Sequence, residues 1–193
     1  MNGGMCNRKK TLARSRKDEP WTAITYPQDF SGEGAGLGPQ TILRLKRMVL
    51  ARRQGYNISA IVLVCGLGPD VSEYPKQIRP FAEMMRDWLV TEGAFPADLI
   101  HCSSNNRAWN CIEVTLEMVN LIKAKGLSRN VLVVSTGFHI FPRMWSTWVL
   151  LCGGRRDWKL AFAPAWDGTY DLPHEIGGTL KYIPMALWHR GKI

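Results

Sequence analysis

The stretch NVLVVSTGFHIFPR, residues 130–143, decides how the chain reads. Its first six residues form a continuous, mostly β-branched apolar run that closes on a serine, the pattern of a strand covered on both faces. Thr136 and Gly137 follow, then His139. Pro142 opens a nearly all-apolar stretch that stops at Gly153 and Gly154. Proline suits the first turn of a helix, where its missing N–H costs nothing. Strand, small polar loop and helix make one βα unit.

Working outward, four more such units can be read. Residues 58–65 (ISAIVLVC) form an equally clear buried run, and residues 21–26 (WTAITY) alternate. Residues 98–102 are a short strand, and residues 158–163 (WKLAFA) a fifth. Amphipathic stretches lie between them. Residues 41–54 put Ile42, Leu45, Val49 and Leu50 on one stripe, with Arg44, Lys46, Arg47, Arg52 and Arg53 off it. Residues 78–91, 109–125 and 142–151 read as further helices, with glycine stops at Gly93, Gly126 and Gly153. Residues 175–188 are interrupted by Gly177, Gly178 and Pro184, which count against a continuous helix. Strands alternating with helices predict a parallel sheet between two helical layers. The expected architecture is one α/β domain over residues 20–193, a three-layer αβα Rossmann-like fold with a mostly parallel sheet of about five strands, preceded by a basic flexible tail over residues 1–19.

Composition agrees. The chain has 193 residues, 46% apolar and 21% charged, which excludes collagen-like, coiled-coil and wholly disordered classes. Its five cysteines form no CxxC pair, so neither a zinc knuckle nor a disulfide framework is expected, and a reducing, cytoplasmic setting fits better. Cys65, Cys102 and Cys152 lie in or beside apolar runs and read as small hydrophobes. No stretch reaches the roughly 18 apolar residues of a membrane span. The net charge of +9 admits nucleic acid as a partner. Much of that charge, however, sits in the tail, on Arg8, Lys9, Lys10, Arg14, Arg16 and Lys17, where a solvated arm is the plainer reading.

In an open parallel sheet, ligands bind beyond the carboxyl ends of the strands. The loops expected there are rich in chemistry. Gly66 and Gly68 would let backbone N–H groups approach an anion. Neither they nor SGEGAGLG at residues 31–38 spell a dinucleotide fingerprint or a P-loop. Ser104, Asn106, Arg107 and Asn110 precede a helix; one of them is expected to do no more than cap it, and Arg107 suits a phosphate or carboxylate. Ser135 and Thr136 end the best strand. His139, between hydroxyls and an arginine, is a candidate acid/base group. Arg143, one turn into an apolar stretch, needs an acidic partner or an anionic ligand. The loop acids Asp29, Glu33, Asp70 and Asp167 could hold a ribose or sugar hydroxyl or a loosely bound divalent ion, but solvated loop acids are the plainer reading. No HExxH, GxSxG or close carboxylate pair occurs, and no metal site is expected.

These blocks resemble the YdcF-like family, also called SanA/ElyC-like or domain of unknown function 218, over roughly residues 21–165. The residues that carry the resemblance are the glycine turn Cys65-Gly66-Leu67-Gly68, the helix entrance with Ser104, Asn106 and Asn110, and Ser135-Thr136 with His139 and Arg143. Arg107 and Trp109 stand where the family has Thr and Glu. Three residues rather than two separate His139 from Arg143, and Glu83 is only an approximate counterpart of the family's acid. The resemblance implies a Rossmann-like fold with its site at the carboxyl edge and a link to bacterial cell-envelope biogenesis. Many members carry N-terminal membrane segments; none is legible here, so a soluble member is implied. The family's reaction is not settled. The reading that follows is a phosphate-bearing small-molecule ligand (a nucleotide, a nucleotide-like cofactor such as S-adenosylmethionine, or a sugar phosphate) bound, and hydrolysed or transferred, by His139 and Arg143 with Gly66, Gly68, Ser104, Asn106, Arg107, Asn110, Ser135 and Thr136. Nucleic-acid binding and a non-catalytic interaction role are the alternatives.

Overall fold

A computed structural model describes residues 18–31, 36–66, 79–105, 108, 110–152, 156–166 and 172–190. Most of the basic tail, together with Glu33, Gly68, Asp70, Asn106, Arg107, Trp109 and Asp167, lies outside them.

The elements in chain order are β1 (Trp21–Thr25), β2 (Phe30–Ser31), β3 (Gly36–Leu37), α1 (Pro39–Arg53), β4 (Ile58–Val64), α2 (Phe81–Thr91), β5 (Ile100–Ser103), α3 (Cys111–Ala124), β6 (Asn130–Thr136), α4 (Trp145–Cys152), β7 (Lys159–Ala165) and α5 (Leu172–His189). Five strands form one sheet in the order β5-β4-β1-β6-β7, and every pairing is parallel. The protein is thus an α/β domain with an all-parallel five-stranded sheet flanked by helices. A separate antiparallel ribbon, β2 with β3, lies within the glycine-rich stretch that the sequence reading treated as loop.

Two apolar cores explain why the sheet is covered on both faces. Alternate residues of each strand feed opposite sides. Ala23, Ile61, Leu63, Leu132 and Val134 pack with Leu45 and Met48 of α1 and with Phe81, Met85 and Leu89 of α2. Ile24, Val62, Val64, Val131 and Val133 pack with Ile112 and Met118 of α3, Trp148 and Leu151 of α4 and Ala186 of α5. Helices α1 and α2 cover one face and α3, α4 and α5 the other, as right-handed crossovers leading outward in both directions from β1 dictate. The strand order therefore reverses between β1 and β6, the place where open parallel sheets form their ligand crevice.

Three local readings need correction. The buried residues of α1 are Thr41, Arg44, Leu45, Met48 and Ala51, while Leu50 is exposed. The helix is rotated toward Arg44 because its first turns face the polar rim rather than the apolar middle of the sheet. Residues 139–144 form a wide helical turn, broken at Phe141 by extended dihedrals ahead of Pro142, so α4 starts only at Trp145. Finally, α5 runs unbroken through Gly177, Gly178 and Pro184. No helix among the described residues is long and apolar enough to cross a membrane.

Candidate functional site

The crevice between β1 and β6 gathers side chains from five elements. Ser135 and Thr136 end β6, Tyr26 follows β1, Arg44 comes from α1, Cys111 opens α3, and His139 begins the turn after β6. His139 is buried. Its Nδ1 lies 2.7 Å from Ser135 Oγ and its Nε2 lies 3.5 Å from Cys111 Sγ. The Tyr26 ring meets the imidazole edge-on, with centroids 5.8 Å apart.

Beneath the imidazole runs a hydrogen-bond chain whose direction can be assigned. Indole N–H is a donor only, so Trp148 Nε1 donates to Tyr26 Oη at 2.7 Å. Thr115 Oγ1 donates to the carbonyl of Cys111 at 2.6 Å. Tyr26 and Thr115 hydroxyls are 2.7 Å apart, which leaves Tyr26 to donate to Thr115. Burial pushes the Tyr26 phenol far above its ordinary range, so it stays neutral and rigid rather than titrating. The chain fixes the first turn of α3, and with it Cys111, against β1 and α4.

Arg44 forms the other wall. It donates to the Tyr26 carbonyl at 2.8 Å, to Thr136 Oγ1 at 3.1 Å and to Gln28 Oε1. The sequence reading left Arg44 off the apolar stripe of this helix and did not select Tyr26 or Cys111. The 41, 44/45, 48, 51 spacing is a helical face in its own right, legible only if a cation is allowed at its rim end.

The selected residues fall into separate groups. His139, Ser135 and Thr136 meet at the crevice. Arg143 is buried too, but its guanidinium lies over the Tyr182 ring, 5.7 Å from the centroid, and fills the space beside Gly178, where a Cβ would sit 2.0 Å from Nη2. Its described contacts face α5. Asn110 is the capping residue: its Oδ1 accepts from Ile112 N at 3.0 Å and Glu113 N at 2.9 Å, and Glu113 reaches back to Asn110 N. Ser104 is exposed at the end of edge strand β5, with Glu83 Oε1 3.4 Å away. Three strand spacings, about 14 Å, separate β5 from β6, so Ser104 lies remote from His139. Gly66 is buried and its carbonyl accepts from Phe81 N at 3.3 Å, while Cys65 O accepts from Ala82 N. Asp29 receives Gln40 N and Thr41 N. The carbonyls therefore take up N–H groups at the start of α2, and a carboxylate does the same for α1, in place of a ligand. His101 is half-buried within β5 and His189 closes α5. Among the described residues no three His, Cys, Asp or Glu groups converge on a metal-sized site.

No family model, no curated protein and no solved structure matches this chain.

Proposed function

We propose that this chain is a cytoplasmic YdcF-like domain that binds and transforms a phosphate-bearing small molecule at the reversal between β1 and β6. The observation that carries the reading is the position of His139. A buried imidazole, with one nitrogen held by Ser135, stands where open α/β sheets take their ligands. Beside it is the start of α3, whose dipole favours negative charge. Its role is to give or take a proton at the ligand's leaving or attacking oxygen. A link to cell-envelope biogenesis rests on the family resemblance alone.

Two of the arginines of α1 count against the nucleic-acid alternative, while Lys46 and Arg53 on the same helix are exposed. Arg47 is tied to the Pro164 carbonyl and Gln54. Arg52 is tied to the Ala94 carbonyl and the Phe95 ring. Neither presents an idle guanidinium to a phosphate backbone.

The test is a melting-temperature panel of nucleotides, S-adenosylmethionine and sugar phosphates. A true ligand at a hundredfold excess over its Kd stabilises by about 2.7 kcal/mol, and His139→Ala abolishes the shift. A panel with no stabilising member, or an unaltered shift in His139→Ala, ends this reading.

A further inference from the structure

We infer that Cys111 is a nucleophile, activated by His139 and aligned through Ser135, that accepts the acyl group of an ester or thioester substrate. This goes beyond the anion-binding proposal and does not depend on it.

The geometry has the order of a nucleophile, a base and a group that orients the base. Cys111 Sγ lies 3.5 Å from Nε2, and Nδ1 lies 2.7 Å from Ser135 Oγ. When Nδ1–H donates to Ser135, the Nε2 lone pair faces the thiol. Ser135 is fully buried and the Tyr26 ring stands against the imidazole, so the ring cannot swing freely. Cys111 is the first residue of the 14-residue helix α3, where the positive end of the dipole favours a thiolate. Its carbonyl is held by Thr115. Glu113 is the one carboxylate in that first turn, and it is directed to the Asn110 N–H.

The other described cysteines are built differently. Cys65 and Cys152 are buried. Cys102 is half-buried like Cys111, but its thiol lies near the Ala82 carbonyl and burial pushes it up to about 11. Cys111 alone among the four has an imidazole.

Among the described residues, the placement of the arginines favours an acyl over a phosphoryl substrate. Phosphoryl transfer needs cations around three equatorial oxygens. The Arg143 guanidinium lies over Tyr182, and Arg44 hydrogen-bonds to Tyr26, Gln28 and Thr136. In the acyl reaction the thiol proton passes to Nε2 as Sγ attacks the carbonyl carbon. The tetrahedral oxyanion collapses, the C–O or C–S bond breaks, and the leaving group takes the proton from Nε2. Water, deprotonated by the same nitrogen, then cleaves the thioester, releases the acid and returns the proton to Sγ.

The experiment uses the full chain and two probes. Iodoacetamide alkylation is followed at each cysteine by peptide mass spectrometry over a pH series. Cys111 should react about tenfold or more faster than Cys102 at neutral pH, with Ser135→Ala slower and His139→Ala reduced to the Cys102 rate. In the native chain the Cys111 rate should hold level well below the ordinary thiol range, which keeps the test decisive if His139→Ala fails to fold. p-Nitrophenyl acetate should give a stoichiometric burst and an acetyl group on Cys111, both absent in Cys111→Ala. Parity between Cys111 and Cys102, a rate that rises only through the ordinary thiol range, or rapid alkylation without an acetyl adduct would each overturn the inference. Anion stabilisation retained in Cys111→Ala separates its fate from that of the phosphate ligand.

Discussion

The two halves of the carboxyl rim are built on opposite principles. At the β5 edge, Ser104 stands beside Glu83, Arg79, Asp87 and Arg86, a solvent-facing cluster of formal charges. Arg79 and Asp87 are 2.6 Å apart, yet their side chains remain 49% and 42% exposed. At the β1/β6 reversal the polar groups are mostly neutral and largely buried, and each constrains the next: Trp148 to Tyr26, Tyr26 to Thr115, Thr115 to the Cys111 backbone, Cys111 to His139, and His139 to Ser135. Short distances alone do not rank these regions. A surface ion pair exchanges one solvated state for another and gains little. A buried donor that loses its partner has no water to replace it. The energy and the positional precision therefore lie in the uncharged half, although the charged half holds the salt bridges.

The sharpest way to break this contrast is Tyr26→Phe. It removes one oxygen and leaves the Trp148 N–H facing an apolar edge. We expect a loss of about 2–3 kcal/mol in urea unfolding, together with slower Cys111 alkylation as the first turn of α3 loosens. A change as small as that of a surface mutant would show that the chain is not coupled. Next in size is Gly178→Ala. The new methyl would meet the Arg143 guanidinium, which is buried and cannot simply swing into solvent, so about 1–2 kcal/mol should be lost. Because Arg143 contacts α5, the thermal transition should fall while the His139 contact with Ser135, read by the imidazole proton resonances, stays in place. Loss of that signal would make Arg143 part of the crevice after all.

The same contrast explains what the sequence could and could not disclose. Strands β4 and β6 were legible because burial on both faces demands continuous β-branched runs, and the order of elements then required parallel crossovers. The His139 turn was legible because hydroxyls and an imidazole at a strand end stand out against apolar surroundings. Cys111 was not. A thiol after a capping Asn looks like any small residue, and its imidazole partner lies 28 positions away, across a crossover that only the fold closes. Arg44 was hidden for a related reason: its neutral partners are two carbonyl oxygens and a hydroxyl that no charge pattern reveals. Gly177, Gly178 and Pro184 argued against α5 on local propensity. Tertiary packing overrides it, because Gly178 is the gap into which Arg143 fits. Asp29 read as a solvated loop acid and is instead the N-terminal partner of α1, a distinction that spacing alone cannot make. Ser104 and His139 belong to two blocks of the same resemblance but not to one neighbourhood, since strand order, not sequence order, sets distance along the rim.

The smallest expected effect is Asp87→Asn, and its smallness is the point. Hydrogen bonding to Arg79, reinforced by Arg86, holds the Asp87 carboxyl below its ordinary range. A carboxylate with a depressed folded pKa stabilises the protein above its unfolded pKa, and that contribution disappears as pH falls through the folded value. Asp87→Asn should therefore matter only at neutral pH, not in strong acid. Solvent screening at this exposure limits the loss to about 0.5 kcal/mol or less, and it should fade further as ionic strength rises and the Debye length contracts. Paired unfolding curves for the native chain and the variant, at neutral and acidic pH with and without added salt, check the sign and the size together. A loss that is as large as that of Tyr26→Phe, or that persists in high salt, would mean that the β5 edge is a buried network rather than a solvated one, and the two halves of the rim would no longer differ in kind.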